Sequence, residues 1–184
     1  MDDINKRLDK LKEKLNNDNF LANKGLSNEV GIHIFCYEPS DEMIIQHYVQ
    51  QLKTNDNIKA NIVERDLYEI FLQICESKRI LDRIPKMEEI KEQHQFQELI
   101  AQFATPQAFI NKMDYDNHQP NDVLLITGVG KVYPYMRCNN ILENIQPVFP
   151  DIPVVVLYPG DYTTQNLVLF NKFSTNYYRA FSLI

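Results

Sequence analysis

Apolar residues recur along this chain in two rhythms, one of three to four residues and one nearly continuous. Ile4, Leu8, Leu11 and Leu15 follow at spacings of four, three and four, which places them on one face of a charged helix over 2–16, capped by Asp2 or Asp3. That face packs on its own domain or meets a partner helix or a second copy; spacing leaves these open. Residues 30–37 are then almost all apolar, β-branched or aromatic, as in a central strand covered on both faces. Glu38-Pro39-Ser40-Asp41 ends that strand. Ser40 is the expected N-cap of a helix whose inner side holds Met43, Ile44, His47, Tyr48, Gln51 and Leu52. Residues 59–63 read as a second strand that runs through Glu64-Arg65-Asp66 into a helix carrying Leu67, Ile70, Phe71, Ile74 and Leu81.

Residues 86–117 are helical in pattern and lack a strand. Met87, Ile90, Leu99, Ile100 and Phe103 mark one amphipathic stretch, and Thr105-Pro106 starts another with Phe109, Ile110 and Met113. This is read as a helical insertion between the second and third strands. A third strand follows at Asp122–Thr127, then Gly128-Val129-Gly130-Lys131, then a helix over 135–146 with Met136, Ile141, Leu142 and Ile145. A fourth strand spans 154–158, after which Pro159-Gly160-Asp161-Tyr162 is expected to turn away. Leu167 to Phe170 and Tyr177 to Phe181 fit a short element and a final strand or docked tail. Strands separated by helices predict one α/β domain over 1–184. Its expected sheet is open, mostly parallel, of about four to five strands, with helices on both faces.

In such folds the loops at the carboxyl ends of the strands form the ligand crevice. Glu38, Asp66, the 128–133 loop and the 159–163 loop are therefore expected along one edge. Gly128-Val129-Gly130-Lys131 invites comparison with a phosphate loop, since glycines let amides approach an anion and a lysine can neutralise it. The comparison is incomplete: Val132 stands where a Walker loop has Ser or Thr, and Pro134 removes an amide donor. Gly128, Gly130 and Lys131 are thus either an anion-binding loop or a tight strand-to-helix turn. Arg137 either braces a carboxylate of its own chain or meets an acidic partner. Asp66 and Asp161 are explained by capping and turn duties without catalysis.

Composition narrows the classes. The chain has 184 residues, 44% hydrophobic and 24% charged, an ordinary globular balance. Its net charge of -6 arises in residues 25–119, so no broad basic face favours nucleic acid. Cys36, Cys75 and Cys138 lie far apart and are expected as buried free thiols in a reducing compartment, the cytoplasm. The four histidines form no metal-ligand spacing, and no metal, cofactor or catalytic constellation is expected. No apolar run reaches the roughly 20 residues that cross a membrane. Tyrosine, however, is frequent: Tyr133, Tyr135, Tyr158, Tyr162, Tyr177 and Tyr178 all fall in the last third. Such rings favour protein interfaces and wet pocket rims, with core packing as the competing use.

The run from Leu124 through Thr127, Gly128, Lys131, Tyr133-Pro134-Tyr135-Met136-Arg137, with Asn140-Ile141-Leu142, Asn144-Ile145-Gln146, residues 153–163 and Tyr177-Tyr178-Arg179-Ala180-Phe181, resembles the BrxB family. That family is the small B component of BREX, the bacteriophage exclusion defence system. The resemblance extends over the whole chain and is most specific from 122 to 184. It implies membership of a multi-protein system whose other parts include the methyltransferase PglX, the phosphatase-like PglZ and a large ATPase. It brings no catalytic residues. The implied role is a noncatalytic scaffold or adaptor, with PglZ the first partner, and self-association remains open. Leu8, Leu11, Tyr133, Arg137, Tyr158, Asp161 and Tyr162 are the candidate partner-binding residues.

Overall fold

The computed structural model describes residues 3–23, 31–163, 166–176 and 181–183. Val30 and Tyr177 to Ala180, expected in strands or a docked tail, lie outside them. Helix α1 (Ile4–Leu15) is capped by Asp3, whose side chain accepts from the Asn5 amide, and a short α2 (Asp18–Leu21) follows. Strand β1 (Ile32–Tyr37) leads through a 3-10 turn into α3 (Glu42–Lys53). Then come β2 (Asn61–Asp66), α4 (Leu67–Ser77), and the insertion helices α5 (Ile84–Ile90), α6 (Gln93–Ala101) and α7 (Pro106–Met113). Strand β3 (Asp122–Thr127), α8 (Val129–Val132), α9 (Cys138–Leu142), β4 (Val154–Tyr162), β5 (Asn166–Leu169), β6 (Phe173–Asn176) and β7 (Phe181–Ser182) complete the chain.

The sheet is open, in the order β2-β3-β4-β1-β7 with every pair along that path parallel. The two-residue side-chain period divides its central strands between two cores. Phe35, Tyr37, Val123, Leu125, Val155 and Leu157 face Leu8, Leu11, Leu15, Ile45, Val49 and Leu52 of α1 and α3. Ile32, Ile34, Leu124, Ile126, Val154 and Val156 face α4, the insertion and α9. Both faces are therefore covered, and the runs read as continuous because each strand is buried twice. Thr105 caps α7 through its hydroxyl, as its sequence predicts.

Several local expectations are corrected. Ser40 does not cap α3: the 3-10 turn Pro39–Asp41 intervenes and Asp41 takes the cap position without a side-chain bond. The buried face of α3 is Ile45, Val49 and Leu52, whereas Met43 is 74% and Ile44 42% exposed. Met43, Ile44 and Ile45 are consecutive, so more than one helical phase is apolar, and packing on the sheet selects the phase that buries Ile45 with Val49 and Leu52. Of the helix expected over 135–146 only α9 (Cys138–Leu142) forms; a separate short helix, α8 (Val129–Val132), occupies the expected glycine loop, and the Tyr133-Pro134 peptide bond between the two is cis. Pro159 to Tyr162 do not turn away. Strand β4 runs on through them and pairs antiparallel with β5, which pairs with β6, giving seven strands among the described residues. Gly160 permits this, since a Cβ there would collide with the Val168 carbonyl oxygen of the neighbouring strand.

Candidate functional site

Asp66 ends β2 with extended backbone and caps α4, its Oδ1 accepting from the Tyr68 amide at 2.8 Å and the Glu69 amide at 3.2 Å. Beside it, β3 ends at Thr127, and Gly128 turns the chain into α8 with φ 71°. Only glycine suits that position, because the conformation is left-handed and a Cβ would strike the Asp66 carboxylate. The turn delivers Lys131 to the same carboxylate, Nζ 2.9 Å from Asp66 Oδ2. Burial lowers the Lys131 pKa, but the hydrogen bond to Asp66 and the charges of Asp66, Glu42 and Glu64 outweigh it and raise the pKa above the usual value.

A cleft of about 360 Å³ opens there, beyond the carboxyl ends of β1, β2 and β3. Tyr37, Glu42, Glu64, Asp66, Thr127 and Lys131 give it its polar character, and Met43 forms its apolar lip. Its carboxylates are internally held. Glu42 accepts from the Tyr37 hydroxyl at 2.5 Å and the Gln46 amide at 2.9 Å. Glu64 accepts from Lys53 Nζ at 2.7 Å and from the Thr127 hydroxyl at 3.0 Å. Three carboxylates thus outnumber the two lysines that pair with them, Lys53 and Lys131, a balance that favours cations over anions. Gly130 serves packing: a Cβ there would stand 2.9 Å from the Phe170 ring and 3.2 Å from Pro159. Among the described residues no group of three or more His, Cys, Asp or Glu could hold a metal ion, and no helix is long and apolar enough to cross a membrane.

A second surface lies where α8 meets the β5–β6 hairpin. The Tyr133 ring is 5.0 Å from Phe173 and stands edge-on to Phe170 at 6.3 Å. Tyr133, Met136, Arg137, Tyr158, Leu169, Phe173 and Thr175 line a shallow cleft, in which Tyr133 is half-buried, Arg137 exposed and Phe173 42% exposed. Arg137 occupies the N-cap position of α9 and not an interior helical turn, and its Nη1 donates to the Thr175 hydroxyl at 3.5 Å. It braces no carboxylate among the described residues. Tyr135 turns the other way, stacked on Phe71 at 4.7 Å with its hydroxyl on Glu88.

The structure thus divides the candidate residues. Gly128, Gly130 and Lys131 share the strand-end turn. Tyr133, Arg137 and Tyr158 come together at the hairpin cleft, although Tyr158 is only 4% exposed and forms its floor. Tyr162 is half-buried against the core on that side, while Asp161 points outward on β4, opposite Val168. Leu8 and Leu11 are corrected: at 4% and 0% exposure they are buried in the α1–sheet core and offer nothing to a partner. Phe173 was missed by sequence reading, since one aromatic in a four-residue strand has no measurable periodicity. Asp122 was missed as well. Buried, it accepts from Asn61 on the neighbouring strand β2 and from Tyr115 and the Gln119 amide of the segment that leads into β3.

A family model described as BREX protein BrxB matches residues 63–183, a span holding both the strand-end turn and the hairpin cleft. A BREX protein BrxB of Bacillus cereus strain H3081.97 is 37% identical, the match covering 98% of this chain and 97% of the relative. The chain belongs to the BrxB family. A second BREX protein BrxB, from Escherichia coli O9:H4 strain HS, is 26% identical over 97% of this chain and 90% of its own. No solved structure matches this BrxB-family chain significantly. The matches to both relatives extend across the region before residue 63, so β1 and the α1–α3 layer belong to the shared unit.

Proposed function

We propose that this chain is a noncatalytic scaffold or adaptor in a BREX bacteriophage-exclusion complex, acting through protein contacts, with the phosphatase-like PglZ as its first partner. Membership of the BrxB family supports the role in phage defence. The observation that carries the adaptor reading is the contrast between two cations that follow β3, Lys131 and Arg137. Lys131 is committed to Asp66 within an acidic cleft, whereas Arg137 is exposed beside Tyr133 and Phe173. A loop built to hold phosphate would keep its lysine available. Here the charge is spent on the fold, and the outward-facing chemistry is aromatic and cationic, as at protein interfaces.

The competing reading is a nucleotide- or anion-binding regulatory protein or enzyme using Gly128, Gly130 and Lys131. The 360 Å³ cleft beside that turn is the feature in its favour. Pull-down of the purified chain against each separately expressed BREX component, with and without ATP, distinguishes them when read by size-exclusion chromatography with light scattering. A stable, nucleotide-independent complex with PglZ is expected. If no component binds, or binding requires ATP and is abolished by Lys131→Ala, the adaptor reading gives way to the nucleotide reading.

A further inference from the structure

Strand β4 leaves the parallel sheet at Gly160 to carry the β5–β6 hairpin, and β6 ends this extension. Among the described residues, no strand pairs with the outer edge of β6. An edge strand presents alternate unpaired N–H and C=O groups and is commonly protected by charge or proline. Phe173-Ser174-Thr175-Asn176 has neither. Its aromatic residue is 42% exposed although Tyr133 packs on one side of it. The inner residues Leu167 and Leu169, in contrast, are buried at 1% and 7%.

The charged side chains nearest Phe173 and Thr175 are cations, with the carboxylates of Glu38 at the hairpin turn and Asp161 on β4, two strands away. Arg137 reaches β6 through Thr175, and Lys172 immediately precedes Phe173 on an exposed turn. Neither makes an ion pair among the described residues. The nearest recorded carboxylate contact of the hairpin, Glu38, accepts from Asn171 instead. A guanidinium presents a planar fork that fits a carboxylate with two parallel bonds. An exposed strand edge supplies main-chain bonds, while pockets beside it read alternate side chains.

Resting on the adaptor reading, we infer that the β6 edge receives an extended acidic segment of a partner protein as an added strand, an apolar side chain seated against Phe173 and a carboxylate on Arg137. The partner is recognised by alternation of apolar and acidic residues in extended chain. A basic segment is disfavoured by Lys172 and Arg137, and an apolar segment without acid leaves Arg137 unused.

The test is an array of overlapping peptides spanning the other proteins of the same BREX system, probed with the full-length chain. Arg137→Glu, Arg137→Lys and Phe173→Ser are probed in parallel. Capture is expected for peptides that alternate apolar residues with Asp or Glu. It should weaken about tenfold or more in Arg137→Glu, since a charge-assisted contact is replaced by repulsion, and less in Arg137→Lys, which keeps charge without the fork. Hydrogen exchange should slow over residues 173–176 when the best peptide is added. Phe173→Ser carries the test should Arg137→Glu fail to match the wild-type melting curve. Peptides captured equally by wild type, Arg137→Glu and Phe173→Ser, or protection elsewhere than β6, overturn the inference. A whole-protein complex that forms while no acidic peptide binds also overturns it, and leaves the adaptor reading standing. Failure of every component in the pull-down refutes that reading separately.

Discussion

Asp66 holds Lys131 with one carboxylate oxygen, at 2.9 Å, while the other caps helix α4. One side chain therefore closes the β3–α8 turn and starts the helix after β2. The two duties differ in energy. A lost N-cap costs about 1 kcal/mol, whereas a partly exposed ion pair contributes at most about 1 kcal/mol. Asp66→Ala is expected to lower the urea midpoint clearly and Lys131→Ala only slightly. Equal effects would show that the ion pair, not the cap, dominates.

Leu11 is fully buried between α1 and the sheet. Leu11→Ala removes buried methyl groups and leaves a cavity, an expected loss of about 2 to 5 kcal/mol measured by chemical denaturation. Leu8→Asp is expected to unfold or strongly destabilise the chain, so any loss of defence it causes should track loss of folded protein. A stable, folded Leu8→Asp variant lacking partner binding would restore α1 as a docking face.

The His33 ring lies 4.9 Å from Phe20 and 6.0 Å from Phe181. Burial, then the Lys14 charge, lowers its pKa from 6.5 to about 4. Between those values the unfolded chain binds the extra proton, so this contribution to stability is complete above the unfolded pKa and is lost as pH falls. His33→Phe is expected to flatten the decline of the urea midpoint across that window. An unchanged pH slope would remove His33 from the titration.

Asp122 is fully covered and accepts three hydrogen bonds that hold it ionised; burial raises its pKa, but the bonds from the Gln119 amide, Asn61 and Tyr115 bring it below the ordinary value. Its stabilisation is present above the unfolded pKa of about 3.9 and is lost as pH falls through the depressed folded value. Asp122→Asn turns an amide donor toward existing donors and is expected to cost about 1 to 3 kcal/mol at neutral pH. The deficit relative to wild type should shrink in acid, where the wild-type carboxyl is itself protonated.

Burial pushes the Cys36 and Cys138 thiols up to about 12 and Cys75 up to about 11. All three are free and buried, as their wide spacing predicts. Ellman's reagent at mildly alkaline pH is expected to react slowly with native protein and rapidly with three thiols in urea, because the thiolate is the reacting form. A fast native phase would identify an accessible cysteine.

What the sequence by itself determined was the order of β1 to β4 with helices between them, the open parallel sheet, the Thr105 cap and the extent of β3, all written in runs that only a twice-covered strand or an amphipathic helix accommodates. The strand-end position of Asp66, Gly128 and Lys131 followed from the same order, because parallel strands separated by helices bring their carboxyl ends together. Tertiary structure alone decided which face of α3 is buried, since Met43-Ile44-Ile45 satisfies more than one helical phase and only the sheet's shape selects Ile45. It decided that Lys131 meets Asp66, a pairing between the short helix after β3 and the end of β2 that no local pattern encodes. It also decided that β4 continues past Pro159-Gly160 into a hairpin. Pro-Gly reads locally as a turn, but Gly160 instead allows the close backbone approach of Val168. That contact places Phe173 beside Tyr133 and brings Thr175 to Arg137.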